Sequence, residues 1–581
     1  MATGESTSLA VDTPPLTIPS AFARSALARP LSPALTDGLL GLTYQQLQDE
    51  TDDISRALAP LVNPGDRVAL QLPRSAEYMV TYLAVLSLGA TVVPLAHDLS
   101  AAETDTELAS CAPVLLLQDP DLRGARPHRV SAASDRGGGA SATVVHVPVR
   151  ARADGDLTSL RSVCGAAEGA GPAPGRGANP AEPAVLLATS GSYGLPKRVV
   201  LTHSALLASA RAHRASLDGA TDATDATDAT ADATTGEGET TLAAVPLNFG
   251  YCNTVQIVGQ LDSGGHVVLL DGDFLPSRFG RLVQEHRVTS TLLVPSMLRL
   301  LTLGDWHRAY DLSSLRHIVY GGAPTPPEIL AGIEQRLPDV ELVETYGQTE
   351  AGPRVTTMRR RDRQDHPGSV GRPLPGVEVA IRDRDFRPLP PGATGEIVVR
   401  GPGVMTGYHG RPEESARVLR DGWLLTGDLG RLDEDGFLYL RGRLRNVAIV
   451  SGMNVSLEEV EACLTAHPAV AEAVCGVRAD DRAGETLVAW VRLAADGPGA
   501  GPGEQIAAPA GQAALLQELT GFCRERLSAH KLPRRIATVA DLPRTRTGKI
   551  DRSALLARSR NVPGEPAAPG RGAPDVEEAV R

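Results

Sequence analysis

The sequence predicts an α/β protein. A large N-terminal domain of layered α/β subdomains, with a β-rich subdomain, precedes a small α+β C-terminal domain. Helical and short β-branched patterns alternate from residue 40 to 340, as they do where helices cover sheets. From 370 to 445 the pattern turns to strands, in residues 376–381, 395–399 and 436–440. After Arg445 a fresh helix (457–464) and two strand runs (470–477, 486–493) begin. The 581 residues exceed what one hydrophobic core organises, so two or more domains are expected. The predicted divisions are a flexible N-terminus (1–30), a large domain (31–444), a small domain (445–558) and a disordered tail (559–581).

Composition bounds the function. Apolar residues make up 42% of the chain, enough for globular cores, and the net charge of −12 argues against a nucleic-acid partner, which needs a basic face. Aromatics reach only 3%, which limits ring stacking as a binding device. The six cysteines (Cys111, Cys164, Cys252, Cys463, Cys475, Cys523) form no C-x-x-C pair, so buried thiols in a reducing compartment are predicted rather than a zinc site or disulfides. No Ser-His-Asp or Cys-His-Asn order stands out, and nucleophilic catalysis by the chain itself has no support.

In chain order, residues 1–10 are polar and mildly acidic, unlike a secretory leader. The uncharged run 78–96 is interrupted by Gly89 and Pro94 and diluted by Thr81, Ser87 and Thr91. It reads as a buried helix ending at Gly89 and a strand at 91–93, not as a membrane span. A cytoplasmic protein without membrane insertion is expected. Residues 119–182, with Gly137-Gly138-Gly139, and 218–240, with Asp-Ala-Thr repeated from Asp222, Asp225 and Asp228, lack apolar periodicity. Both read as mobile surface inserts, and the repeat reads better as a tolerated insertion than as a docking tag.

An apolar run at 184–188 then leads into Thr189-Ser190-Gly191-Ser192-Tyr193-Gly194-Leu195-Pro196-Lys197, followed by a helical pattern opening near Thr202 or Ser204. Hydroxyls and two glycines can converge backbone N–H groups on an anion, to which Lys197 adds a point charge. The spacing is not the Walker form, so a P-loop kinase or GTPase is disfavoured. On these residues alone a Ser/Gly-rich surface turn is an equal reading. Gly321-Gly322-Ala323-Pro324 follows the strand-like run 317–320, bare backbone at the end of α/β strands where ligands settle, although a plain turn serves as well. Asp433-Glu434-Asp435-Gly436 lacks the further oxygens of a calcium loop and fits a hairpin turn. Residues 494–511 form a Gly/Pro/Ala-rich loop.

Three later segments complete a set: Tyr346-Gly347-Gln348-Thr349-Glu350, Thr426-Gly427-Asp428, and Pro543-Arg544-Thr545-Arg546-Thr547-Gly548-Lys549. Together with the 189–197 loop they resemble the acyl-adenylate-forming superfamily of acyl-CoA synthetases, aryl-acid ligases, peptide-synthetase adenylation domains and beetle luciferase. The resemblance runs from about Leu42 to Arg552.

The resemblance implies a carboxylic acid activated by ATP and then passed to an acceptor. Thr189, Ser190, Gly191, Ser192, Gly194 and Lys197 would hold the β- and γ-phosphates. Tyr193 stands where the family usually has Thr, and Arg198 replaces a usual Gly. Glu350 would hold Mg²⁺, Thr349 would contact the α-phosphate and Tyr346 would lie by adenine, with Gly347 and Gln348 in the same segment. Gly321, Gly322, Ala323 and Pro324 would line the adenine and acyl pockets, while Asp428 and Arg443 would take the ribose. Lys549 would swing in to bridge carboxylate and α-phosphate, the small domain being mobile about a hinge at Arg445. Ser451, Gly452 and Met453 match the strip along a pantetheine arm.

Residues 245–251 contain no acid, and none appears until Asp262. Peptide-synthetase domains place an aspartate there for the substrate ammonium, so an α-amino acid is disfavoured. Acyl-CoA synthetases often show a His in the region where Asn248 and Phe249 stand. Asn248, Tyr251, Ser296 and Arg354 are expected to line an aryl, dicarboxylic or medium-length acyl pocket. No carrier-protein segment follows Lys549, so CoA or the phosphopantetheine of a separate carrier is the expected thiol acceptor, with an amine as the alternative. A non-catalytic scaffold is disfavoured because Lys197, Glu350, Asp428 and Lys549 are all present.

Overall fold

Apolar, β-branched runs bounded by glycine and proline become strands buried on both faces, as parallel sheets require. The computed structural model describes residues 16–38, 40–121, 143–147, 179–189, 197–218, 239–322, 325–443, 447–451, 453–480, 484–494, 509–543, 552 and 555–556. Among these, a seven-stranded sheet runs Gly407–Tyr408, Lys197–Thr202, Pro183–Thr189, Thr91–Pro94, Arg67–Gln71, Leu115–Gln118, Thr143–His146. A nine-stranded sheet runs Arg372–Pro373, Thr356–Met358, Glu341–Tyr346, His317–Gly321, Ser290–Leu293, Thr240–Ala243, His266–Leu269, Pro33–Asp37, Leu40–Thr43. The helix Ala76–Ser87 is buried along nearly its whole length and is followed by Thr91–Pro94, as the sequence reading has it. No helix among the described residues is long and apolar enough to cross a membrane.

The β-rich subdomain is a five-stranded antiparallel sheet built on Gly395–Arg400 and Trp423–Leu432, with Leu438–Arg443 paired to the latter. In the small domain another five-stranded sheet, centred on Gly484–Leu493, packs against the helices Leu457–Thr465 and Pro509–Arg526 around Val460, Leu464, Leu487, Leu519 and Cys523. A polar clasp joins this domain to the large one. Glu103, on the helix Ala101–Cys111, accepts hydrogen bonds from Ser528 N (2.7 Å), Ser528 Oγ (2.8 Å) and Lys531 Nζ (3.3 Å), and Lys531 also reaches Glu459 at 2.8 Å.

Three expected boundaries need correction. Residues 1–30 are not flexible throughout: Ile18–Ala28 is a helix. Thr17 and Ser20 form a capping box at its start, and Ile18, Ala21, Phe22, Ser25 and Ala26 are buried at helical spacing against the large domain. The predicted insert 119–182 contributes the strand Thr143–His146, whose β-branched residues pair in parallel with Leu115–Gln118. The loop predicted at 494–511 gives way to helix at Pro509. Residues 122–142, 148–178, most of the Asp-Ala-Thr insert (219–238) and the tail 557–581 lie outside the described residues.

Phe22 is 2% exposed and packs beside the Tyr44 ring at 6.0 Å, so Phe22→Ala should cost about 3–5 kcal/mol, read as a lowered Tm. The N-terminal helix is also tied by Ile18 N donating to His203 Nδ1 at 3.3 Å, which requires a neutral ring. Burial lowers the His203 pKa to about 4. Between its ordinary value and about 4 the unfolded chain takes up a proton that the folded chain does not, so this stability is lost as pH falls through that window. His203→Gln should therefore lose less Tm than the parent between pH 7 and pH 5 in scanning calorimetry.

Candidate active site

Three of the sheets meet at one place. The strands Pro183–Thr189 and Lys197–Thr202 are antiparallel, and their register sets Thr189 opposite Lys197, so the loop between them leaves and returns at one point. Ser190, Gly191, Ser192 and Gly194 of that loop, with Tyr193, lie outside the described residues. Thr189 Oγ1 is buried and has no hydrogen-bond partner among the described groups. Lys197 is 5% exposed. Its ammonium pairs with Glu414 of the helix Pro412–Val418 and sits 4.9 Å above the Tyr408 ring. Burial raises the Glu414 pKa, but the hydrogen bonds and charges of Lys197 and Arg411 more than offset it and hold the carboxyl below its ordinary range.

Strand alternation turns Arg198 the other way. This side chain, where the family usually has Gly, is buried, pairs with Glu107 and donates to Pro94 O at 3.4 Å. It braces the loop's exit strand from beneath.

The Glu341–Tyr346 strand delivers the next group. Tyr346 donates its hydroxyl to Asp428 Oδ2 at 2.8 Å, which ties the nine-stranded sheet to the β-rich subdomain. A Cβ on Gly347 would lie 2.0 Å from Pro353 O, so only glycine lets the chain fold back on itself there. Gln348 leads into the 3₁₀ turn Thr349–Ala351, and its buried Nε2 has no partner among the described groups. Glu350 Oε1 accepts the Tyr408 hydroxyl at 3.0 Å, and Glu350 O accepts Met405 N at 2.9 Å. Asp428 is 4% exposed and is the cross-strand partner of Arg443. Gly321 ends its strand opposite Thr345, so close that a Cβ would meet Thr345 O at 2.5 Å. Gly322 follows in a left-handed conformation, and Ala323 and Pro324 lie outside the described residues.

On the side expected to take the acyl group, Asn248 is half-buried in the turn closed by Phe249 N and Pro246 O. Tyr251 opens the π-helix Cys252–Gly259 and holds its hydroxyl 3.4 Å from His213 Nδ1. The Arg354 guanidinium lies 5.8 Å over the Tyr251 ring. Arg354 was expected as a pocket wall; it is instead wholly enclosed, donating to Thr345, Thr357 and Ser216 hydroxyls. Ser296 is half-buried in the first turn of Pro295–Leu301, and none of the contacts described here joins it to the other three.

In the small domain, Ser451 has a left-handed backbone in the turn between Val447–Val450 and Met453–Ser456, and Met453 is half-buried. Gly452, Arg445 and Lys549 lie outside the described residues, as does the side chain of Arg443. Sequence reasoning missed Tyr408 and Glu414. Tyr408 reaches Lys197 and Glu350, and Glu414 reaches Lys197, through the pairing of Gly407–Tyr408 with Val199 and Val200, a contact between segments some 200 residues apart that no local pattern announces.

The profile of the AMP-binding enzyme family matches residues 22–409, and that of the AMP-binding enzyme C-terminal domain matches residues 459–549. A feruloyl-CoA synthase from an Amycolatopsis species is 33% identical over 536 residues, covering 91% of this chain and 96% of its own. Among solved structures, o-succinylbenzoate CoA synthetase from Bacillus subtilis, bound with a product analogue, superposes with a TM-score of 0.76 at 27% identity, over 93% of this chain and 98% of its own. An amide bond synthetase from Marinactinospora thermotolerans gives 0.72 at 30% identity, over 92% and 99%. The chain belongs to the AMP-binding enzyme family, within the acyl-adenylate-forming superfamily that its motifs resemble.

Proposed function

We propose that this chain is an AMP-forming ligase that joins a carboxylic acid lacking an α-amino group to a thiol, either CoA or the phosphopantetheine of a separate carrier protein. One observation carries the reading furthest. Lys197, Glu350 and Asp428, from three different sheets or their exits, are gathered by two tyrosine hydroxyls and one tyrosine ring.

In the first half-reaction a carboxylate oxygen attacks the α-phosphorus of ATP, the bond to the bridging oxygen breaks, and pyrophosphate leaves. Lys197 and the 190–196 loop hold the departing phosphates, Thr349 meets the α-phosphate and Asp428 accepts the ribose hydroxyls. Negative charge grows on the phosphate oxygens, and fixed cations are what lower that barrier. Lys549 supplies another from the small domain. Magnesium fits Glu350, a hard oxygen ligand whose Oε2 has no partner among the described residues, and bound there it would neutralise phosphate charge. In the second half-reaction a thiolate sulfur attacks the acyl carbon and AMP leaves, after the small domain turns about Arg445 to present Ser451, Gly452 and Met453. Likeness to an amide bond synthetase supports a second reading, in which an amine nitrogen attacks the same adenylate.

Pyrophosphate release measured over a panel of acids, first without acceptor and then with CoA or an amine, tests both. Acid-dependent release followed by thioester on adding CoA is the expected result; release that no acid stimulates would sink the ligase reading. Lys549→Ala should abolish release yet leave much of the thioester step when synthetic acyl-AMP is supplied. Glu414→Gln removes the carboxylate that competes with phosphate for Lys197, so KM for ATP should fall roughly 3- to 10-fold in steady-state assays. A rise in KM would instead make Glu414 a positioning residue for the lysine.

A further inference from the structure

Three hydrogen bonds cross from the small domain to one oxygen of the large domain. Glu103 Oε1 accepts Ser528 N at 2.7 Å, Ser528 Oγ at 2.8 Å and Lys531 Nζ at 3.3 Å. The other oxygen, Oε2, accepts Ser100 N at 3.0 Å and closes the capping box at the start of Ala101–Cys111. One carboxylate oxygen thus fixes Glu103 to its own helix, and the second is given to the neighbouring domain. Glu103 and Ser528 are 7% and 3% exposed, so the contact is shielded from water. Burial alone would raise the Glu103 pKa, but the charge of Lys531 and hydrogen bonds from Ser100 and Ser528 more than offset it and hold the carboxyl below its ordinary range. The acceptor is therefore ionised at neutral pH, which strengthens each bond.

Such a contact is made or broken as a unit. Three donors that converge on one atom are lost together when the domains shift, since hydrogen bonds fail beyond about 3.5 Å. On parting, the Glu103 carboxylate regains water, and Lys531 keeps Glu459 at 2.8 Å within the small domain, so neither charge is stranded. The arrangement that the clasp holds has a counterpart. The Bacillus subtilis o-succinylbenzoate CoA synthetase superposes with a TM-score of 0.76 in the product-analogue complex of a double mutant. The same enzyme gives 0.62 in its AMP complex and 0.62 in its acyl-adenylate complex, over nearly the same share of this chain. One protein's domains keep their folds between complexes, so the difference lies in how the two domains are set. The domains of this chain are set more nearly as in the product-analogue complex than as in the other two.

We propose that Glu103 is a positioning residue for acyl transfer: acting through Ser528 and Lys531, it holds the small domain in the arrangement that serves thiol attack, and the clasp parts for adenylation. This rests on the ligase reading and deepens it. Nucleotide binding and the clasp then compete for the small domain, and removing the clasp slows the second half-reaction while sparing the first.

Amide hydrogen exchange of the full chain, read by mass spectrometry at Ser528, tests this, because that N–H is one of the clasp bonds. α,β-Methylene-ATP with Mg²⁺, which cannot be cleaved at the α-phosphorus, should raise the Ser528 exchange rate about 10-fold, and CoA alone should not. Glu103→Gln, which keeps the shape but loses the charge, should raise it without any ligand. In kinetic assays with the acid that gives the fastest pyrophosphate release, Glu103→Lys should lower kcat for transfer from the synthetic acyl-AMP to CoA about 10-fold or more. Its pyrophosphate release without CoA should stay near the parent's, and adding Lys531→Glu should recover most of the transfer rate. Equal losses in both half-reactions, with no recovery in the double variant, would make the clasp a fixed anchor and overturn the proposal. So would Ser528 exchange that the ATP analogue leaves unchanged while it protects amides around Tyr346 and Thr349. An analogue that protects no amide there would fail the ligase reading, and the clasp proposal with it, which tells the two failures apart.

Discussion

The Tyr408 side chain holds the site together. Its backbone is hydrogen-bonded to the strand that carries Lys197, its ring lies beneath that lysine, and its hydroxyl holds Glu350 at the exit of the other large sheet. Without it, the Lys197 ammonium and the Glu350 carboxylate would lose the side chain that joins them, leaving the backbone bond from Met405 N to Glu350 O between the two segments. Tyr346 repeats the device one step along, joining the nine-stranded sheet to Asp428. A site assembled from three sheets is precise only if such cross-links are rigid, and a phenol offers a large packed ring with few torsions and one polar tip.

A second theme is the helix Ala101–Cys111, which works on two fronts. Glu107 grips Arg198 beneath the loop's exit strand, while Glu103, four residues earlier, receives Ser528 and Lys531 of the small domain. One rigid helix thus touches both the element that would hold phosphate and the domain that would carry Lys549. The clasp is built from charges and hydroxyls, and polar interdomain contacts separate more readily than hydrophobic ones.

Much of the fold was legible because it follows local patterns. The helix Ala76–Ser87 with its Gly89 stop, the strand before the 189–197 loop and the hairpin at Gly436 all carry their own punctuation. Ile18–Ala28 was legible too, in Thr17, Pro19 and the spacing of Ile18, Phe22 and Ala26, and was lost only because an N-terminus is ordinarily frayed. Asp428 and Arg443 are read together from the family's pattern, and the β-hairpin register makes them neighbours. Glu414 and Tyr408 could not be reached this way, because their partners depend on long-range strand pairing. Arg354 illustrates a different limit: the sequence offers an arginine, but only the fold shows it enclosed among hydroxyls.

Oxygen tracing tests the central chemistry most directly. With a substrate acid labelled with ¹⁸O in its carboxylate, turnover through an acyl adenylate must leave one labelled oxygen in AMP, because the carboxylate oxygen bonded to the α-phosphorus departs with it when the acceptor attacks. Label in AMP, and none in pyrophosphate, is the predicted result. Label in a released phosphate or pyrophosphate, with AMP unlabelled, would place the attack elsewhere on the triphosphate and contradict the assignment of Lys197, Thr349 and Asp428 to an α-phosphate reaction.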